Sequence, residues 1–309
     1  MVCCLDGSNF FFITYGAFLS NLKEKNGEDY IVKEEDLGLF FHMFLKKIMK
    51  YVTTYKDCVF CFEGLHSSKY RKDTYKLYKE NRADRKSDPN YQFVGPLMEK
   101  VISFCRLLHT KVLSVPYCEG DDCIYQTCKY YAEQGEKVKI VSTDKDLTQI
   151  MNFYPDLVVQ SRPEMFGRPE EELEADENII LYKCIVGDTA DNIKGIPRIG
   201  DKIFKKMLED KILWNKKMTP ENLELLETIE KIVDLRKYPE EYQSAILEEV
   251  KKPWNEFDKD GIEKFMMENG LKNCYSTWSS EWCPDIEALM SSVYEKPDAI
   301  DEIMSILEG

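Results

Sequence analysis

The most restrictive feature of this 309-residue sequence is a recurring pattern of short apolar runs that end on carboxylates. "VCCLD" (2–6) stops at Asp6, and "CVFCFEG" (58–64) runs into Glu63. "KVLSVP" (111–116) leads to "YCEGDD" with Glu119, Asp121 and Asp122, and "KVKIVSTDKD" (137–146) carries Asp144 and Asp146. Runs this compact read as buried strands, and "DLVVQS" (156–161) reads as one more. Between them lie helical patterns at 34–53, 96–108 and from "DDCIYQ" onward, and the basic stretch 67–86 also looks helical. Strands alternating with helices predict an α/β layered domain whose largely parallel central sheet is flanked by helices. Ligands of such sheets bind beyond the carboxyl ends of the strands, so these carboxylates are expected to meet in space.

Each acidic residue also has an ordinary structural use. Asp6-Gly7-Ser8 suits an Asx-turn, Asp121 and Asp122 suit the first turn of a helix, and Asp144 suits an N-cap. Taken together they are harder to explain, because like charges at one sheet edge repel unless a cation or a proton relieves them. Ligand sets made of oxygen alone, with no histidine, point to Mg²⁺ or Mn²⁺ rather than zinc. A cluster this acidic has ligands for two ions, the arrangement used in phosphodiester hydrolysis. Asp188 and Asp191 add an i, i+3 pair on one face if a helix continues through them.

From residue 178 the pattern changes. "NIILYKCIVGDTADNIKGIPRIGDKIFKKML" (178–208) reads as helix, hairpin, helix, and 209–309 reads as helical and charged with no strand pattern. The expected division is an α/β core at 1–177 and a helical region at 178–309, with the helix–hairpin–helix at about 183–208. Gly195 and Gly200 bracket Pro197, and Lys194, Arg198, Lys202, Lys205 and Lys206 surround the turn. Such a turn offers backbone N–H groups and positive charge to a duplex backbone; the plain alternative is a tight helix–helix turn. Net charge is −14, yet residues 67–86 hold eight Lys/Arg against three acids. That is either a local field that steers an anion or a solvated helix face. No apolar run approaches the roughly 18 residues of a membrane span, and "MVCCLDGSNFFF" lacks a secretory pattern. The eleven cysteines, scattered through apolar runs, read as reduced buried thiols, and Cys58–Cys61 is a CxxC pair with no second pair beside it.

The ordered set "LDGS", "FEG…YKLYKENR", "YCEGDD", "STDKDLTQI" and "VGDTADNIKGIPRIGDK" resembles the flap endonuclease/5′-nuclease superfamily, in particular its phage ribonuclease H or 5′–3′ exonuclease branch. The likeness runs from residue 1 to about 208. It implies a PIN-like/5′-nuclease core with a helix–hairpin–helix region, and a metal-dependent enzyme acting on branched or 5′-ended duplex DNA and RNA–DNA primer hybrids in replication or repair. By position, Asp6, Glu119, Asp121, Asp122, Asp144, Asp146, Asp188 and Asp191 match the family's metal carboxylates. Glu63 stands where an aspartate is usual, moving its carboxylate outward by roughly 1.5 Å. The helical arch corresponds to about 67–95. In it Lys79 and Arg82 match basic residues on the scissile phosphate, Arg71 matches a further basic position, and Lys72 is a DNA contact. Tyr78 either stacks on an extruded base or packs in a core.

The resemblance further implies two Mg²⁺ ions, with Mn²⁺ as a substitute, and K⁺ as a candidate at the hairpin. Oligomeric state is open in the sequence, with a monomer as the default expectation; the expected location is the cytoplasm, of a bacterial host if phage-encoded, with a single-strand-binding protein or clamp as candidate partners. The C-terminal "DAIDEIMSILEG" reads as an ordinary terminal helix. Two rival readings are a PIN-type endoribonuclease, which lacks the hairpin, and a non-catalytic branched-DNA-binding protein in which Glu63 marks lost hydrolysis.

Overall fold

The computed structural model describes residues 1–82, 88–165 and 167–291. Its centre is a six-stranded sheet in the order β3-β2-β1-β4-β5-β6. The strands are β1 (Val2–Asp6), β2 (Cys58–Cys61), β3 (Thr110–Leu113), β4 (Val138–Val141), β5 (Val158–Arg162) and β6 (Glu171–Glu172). The first five are parallel and β6 is antiparallel to β5.

Side-chain alternation shows why β1 and β2 read as continuous apolar runs. Cys3 and Leu5 face one core with Cys58 and Phe60, while Val2 and Cys4 face another with Val59 and Cys61. Both faces of the sheet are therefore covered, as parallel sheets require. On the first face pack α1 (Gly7–Asn26), α2 (Leu37–Val52) and α4 (Val94–Cys105), through Phe11, Phe40, Phe44 and Phe104. On the second pack α5 (Gly120–Ala132), α6 (Thr148–Phe153) and α11 (Glu240–Lys251).

The chain order reverses between β1 and β4, so a crevice opens at their carboxyl ends. Asp6 ends β1 and caps α1, its Oδ1 accepting the Asn9 N–H at 2.9 Å. Asp144 follows β4 and caps the next turn, accepting the Asp146 N–H at 2.9 Å. The loops after β2 and β3 are drawn together at Gly64, whose N–H donates to the Cys118 carbonyl at 2.9 Å. A Cβ there would lie 1.7 Å from the Val115 oxygen, so only glycine permits this approach, which seats Glu63 beside the Glu119 loop.

The basic stretch departs from the helix expected over 67–86. α3 (Lys69–Thr74) is the α-helical part; residues 75–79 run in turns into a 3₁₀ turn at 80–82, and 83–87 lie outside the described residues. Anchors beyond the segment override its helical pattern: the Asn192 side chain donates to the Leu77 carbonyl at 2.7 Å, and the Lys79 N–H donates to the Asp191 carbonyl at 2.9 Å. A lobe of α7 (Ile179–Ile185), α8 (Asp201–Glu209), α9 (Lys211–Lys217) and α10 (Pro220–Val233) follows. The last described helices, α12 (Lys259–Glu268), α13 (Lys272–Thr277) and α14 (Cys283–Ser291), return to the first face, where Trp278 and Met266 join its core. No strand follows residue 209 among the described residues, and "DAIDEIMSILEG" lies outside them.

Candidate metal and nucleic-acid site

At the sheet edge, Asp6, Glu63, Glu119, Asp121, Asp144 and Asp191 line one crevice of about 170 Å³, together with Lys79 and Arg82. Asp6 is buried and answered by neutral donors only: Ser142 Oγ at 2.6 Å and the Asn9 amide. Burial pushes its pKa up to about 7 against those donors, and the charges of Asp144 and Glu63 raise it further. Burial likewise raises Asp121 well above the carboxylate range, with Asp144 and Asp6 adding to the effect.

Glu119 is treated differently. It accepts from Tyr78 OH at 2.9 Å and Lys79 Nζ at 2.8 Å, with Arg71 at 3.8 Å. Burial opposes its ionisation, but the Lys79 and Arg71 charges prevail and hold its pKa at about 2.

Arg71 and Asp122 form a closed pair beneath the crevice. Both guanidinium ends donate to the carboxylate, at 2.7 and 2.8 Å, while Arg71 Nε donates to the Ile232 carbonyl and the guanidinium lies over the Tyr238 ring. Asp122 Oδ2 also accepts the Glu119 N–H at 2.9 Å, closing the N-cap of α5. Arg71 is therefore turned inward, not toward a phosphate, and both oxygens of Asp122 are engaged. Tyr78 is 3% exposed, packed among Cys184, Ile193, Ile229 and Ile232, so its ring presents no stacking face here.

A second group stands beside the first. Asp146, Asp188 and Asp191 each offer an oxygen within 4.8 Å of the others. No helix carries Asp188 and Asp191, as α7 ends at Ile185. The chain turns at Asp188, where a short bridge to Ile193 closes a loop and Asp188 Oδ1 accepts the Ala190 N–H at 2.7 Å. Lys183 contacts both Asp146 and Asp188. Burial raises the Asp146 pKa, with Lys183 opposing, to about 6, while for Asp188 burial is outweighed and Lys183 lowers it. Arg82 donates to Asp191 Oδ1 at 2.8 Å.

The donors are oxygens only. Asp6 and Asp144 are held by hydroxyl and amide groups rather than by a cation, so the set suits hard divalent ions. Adjoining the crevice, a cleft of about 940 Å³ is lined by Lys72, Lys76, Lys79 and Arg82, by Phe12 and Tyr91, and by the carboxylates Glu63 and Glu119 that it shares with the crevice.

The hairpin turns on Gly195, at φ 59, where a Cβ would lie 2.5 Å from the Val186 carbonyl carbon. Gly200 precedes α8, and Lys194, Arg198, Lys202 and Lys205 are exposed around it.

Phe12, Ser142 and Lys183 were not singled out by the sequence reading. Phe12 sits in an aromatic run without a period, and Lys183 is a single cation in an apolar helix; only its five-residue spacing from Asp188 hints at its partner.

Residues 1–177 match the family model described as 5′–3′ exonuclease, N-terminal resolvase-like domain. The chain is 28% identical over 213 residues to a 5′–3′ exonuclease of Buchnera aphidicola subsp. Acyrthosiphon pisum, covering 65% of this chain and 67% of that protein. It is 27% identical over 176 residues to the thermostable DNA polymerase I of Thermus aquaticus, 54% of this chain but only 20% of that longer protein. The fold is similar to that of the T5 5′-exonuclease with divalent metal ions (zinc) bound: TM-score 0.53 at 18% identity, covering 87% of this chain and 97% of that one.

Proposed function

The chain belongs to the family of 5′–3′ exonuclease N-terminal, resolvase-like domains, and from that premise we propose that it is a structure-specific 5′ nuclease running on divalent ions, Mg²⁺ by the character of its ligands. The observation that carries this reading is the meeting of two chemistries at the sheet's switch point. Carboxylates from the ends of β1, β2 and β4 and the start of α5 face the same crevice as Lys79 and Arg82.

Asp6, Glu63, Glu119, Asp121 and Asp144 would hold one ion, and Asp146, Asp188 and Asp191 a second. Bound there, the ions supply a nucleophile at neutral pH and charge for the leaving oxygen. Lys79 and Arg82 stabilise negative charge on the phosphoryl oxygens. Arg71 supports the site indirectly, since its pair with Asp122 fixes the first turn of α5 and so the angle of Glu119 and Asp121. Tyr78 anchors Lys79 to the cluster from below. The 940 Å³ cleft, whose lining carries four cations for phosphates and the exposed ring of Phe12 for a base, suits a single strand.

Lys194, Arg198, Lys202 and Lys205, with the backbone at Gly195 and Gly200, bind the duplex through its phosphates, so the enzyme selects structure rather than sequence. The hairpin is the place for a K⁺ ion if one is used, and Mn²⁺ is the expected substitute for Mg²⁺. The T5 flap endonuclease, similar in fold (TM-score 0.52), is described as a pseudo-enzyme-product complex with DNA and metal ions. By extension we assign branched and 5′-ended duplexes, and RNA–DNA primer hybrids, as substrates in replication or repair. The proposed setting is a cytoplasmic monomer working beside a single-strand-binding protein or clamp. No described helix is long and apolar enough to cross a membrane.

The test is cleavage of 5′-labelled flap and nicked duplexes in Mg²⁺ or EDTA, beside Asp144→Ala. Metal-dependent cutting near the junction that the variant loses is expected. Structure-selective binding without cutting in either Mg²⁺ or Mn²⁺ would replace this reading with a non-catalytic one.

A further inference from the structure

One buried cation stands where the two-ion reading puts a metal. Lys183 leaves α7 and places Nζ against Asp146 Oδ2 and, at 2.6 Å, Asp188 Oδ2. Its side chain is 10% exposed, and no other described ammonium or guanidinium pairs with Asp146 or Asp188. Asp191, the third member of the group, is answered instead by Arg82 at 2.8 Å and Lys79 at 3.9 Å. A cavity of about 20 Å³ bounded by Lys183, Asp146, Asp191 and Asp121 adjoins the ammonium, room for roughly one water-sized body.

We propose that Lys183 is the built-in counter-ion of this pocket, holding Asp146 and Asp188 together until a divalent ion takes its place. The inference rests on the metal reading above. Three carboxylates this close repel strongly without a cation, so the ion-free protein needs Lys183 where it stands. A divalent ion held by these carboxylates would meet the ammonium as a like charge. One of them must leave, and a lysine on a flexible four-carbon stem can withdraw while keeping its charge. The second ion therefore binds by exchange, more weakly than the first, and the freed ammonium becomes available to a substrate phosphate.

The experiment is a Mn²⁺ titration by calorimetry without DNA, on the wild type, Lys183→Gln, Lys183→Arg and Asp188→Asn. Lys183→Gln should tighten the weaker site by on the order of tenfold, the size usual when a group beside metal ligands changes. Lys183→Arg, which keeps the competing charge, should not. Mn²⁺ should also raise the melting temperature of Lys183→Gln more than that of the wild type, since the variant's ion-free form has lost its counter-ion. In case that variant does not fold, amine labelling of the wild type reads the same exchange: Lys183 should be protected in EDTA and labelled in saturating Mg²⁺. A weaker site left unchanged by Lys183→Gln, or a Lys183 still protected with Mg²⁺ bound, overturns the exchange. Uptake of a single ion indifferent to Asp188→Asn overturns it while leaving the first site standing. No uptake at all removes the metal reading with it.

Discussion

Arg71 shows how a residue's chemistry depends on which way it points. A sequence motif places it among cations that meet phosphate, but its guanidinium is buried under Asp122, Tyr238 and the Ile232 carbonyl. Arg71→Ala should therefore cost about 3–5 kcal/mol of stability by leaving Asp122 buried and unpaired. Urea unfolding measures this, and Arg71→Met with Asp122→Leu should recover much of the loss. An Arg71→Ala protein of unchanged stability but lower activity would restore the phosphate role. The carboxylates allow a pH prediction. Asp6 at about 7 and Asp146 at about 6 hold protons in the folded chain that the unfolded chain has released. Each stabilises the fold at low pH, and that contribution is lost as pH rises from about 4 toward about 7. Glu119, at about 2, works oppositely and costs stability only below its ordinary range. The metal-free protein should melt lower at about pH 8 than at about pH 5, and saturating Mg²⁺ should erase the difference. A metal-free melting temperature that rises across that interval would contradict the assignment.

Elements differ in how openly the sequence announces them. The strands were legible because a sheet covered on both faces needs unbroken apolar runs, and the runs of β1, β2, β3 and β4 each lead to a carboxylate that lines the crevice. The helix Gly7–Asn26 was not, because Phe12 is 44% exposed beside buried Phe10 and Phe11, which blurs the period that marks a helix. The broken course of residues 75–82 was hidden for another reason: its partners, Asp191, Asn192 and Thr189, lie more than a hundred residues away. No local pattern carries that information. The hairpin was readable because glycine is a local signal. Gly195→Ala must hold a left-handed residue, a penalty of roughly 1–2 kcal/mol, and must also push Val186 aside. Because the sheet cores share no residue with this turn, the expected result is a folded protein that binds duplex DNA weakly and single strands nearly as before. Fluorescence anisotropy on both ligands tests it, and equal loss on both would separate the hairpin from duplex recognition.

Across the whole molecule, a chain of net charge −14 is an unusual binder of polyanions, and the arrangement of its charge explains how it can be one. The acids gather at the crevice, where divalent ions would offset them. The exposed cations lie along the cleft wall at Lys72 and Lys76 and around the hairpin at Lys194, Arg198, Lys202 and Lys205. On the proposed function, affinity would come from a limited set of phosphate contacts, while the acidic remainder would oppose contact with DNA held in any other orientation. If six or more of these cations each displace a counter-ion, flap affinity should fall by about 10³-fold or more between 50 and 200 mM salt. Lys202→Ala should weaken binding and flatten the log–log slope by about 1, whatever the sequence of the duplex. Met267→Lys, a new positive charge on α12 at a residue 67% exposed and outside both the cleft lining and the hairpin, should leave that slope unchanged. If Lys202→Ala and Met267→Lys shift the slope equally, general charge rather than a defined path governs binding. The separation of acidic and basic surfaces would then have no part in how the substrate is oriented over the carboxylates.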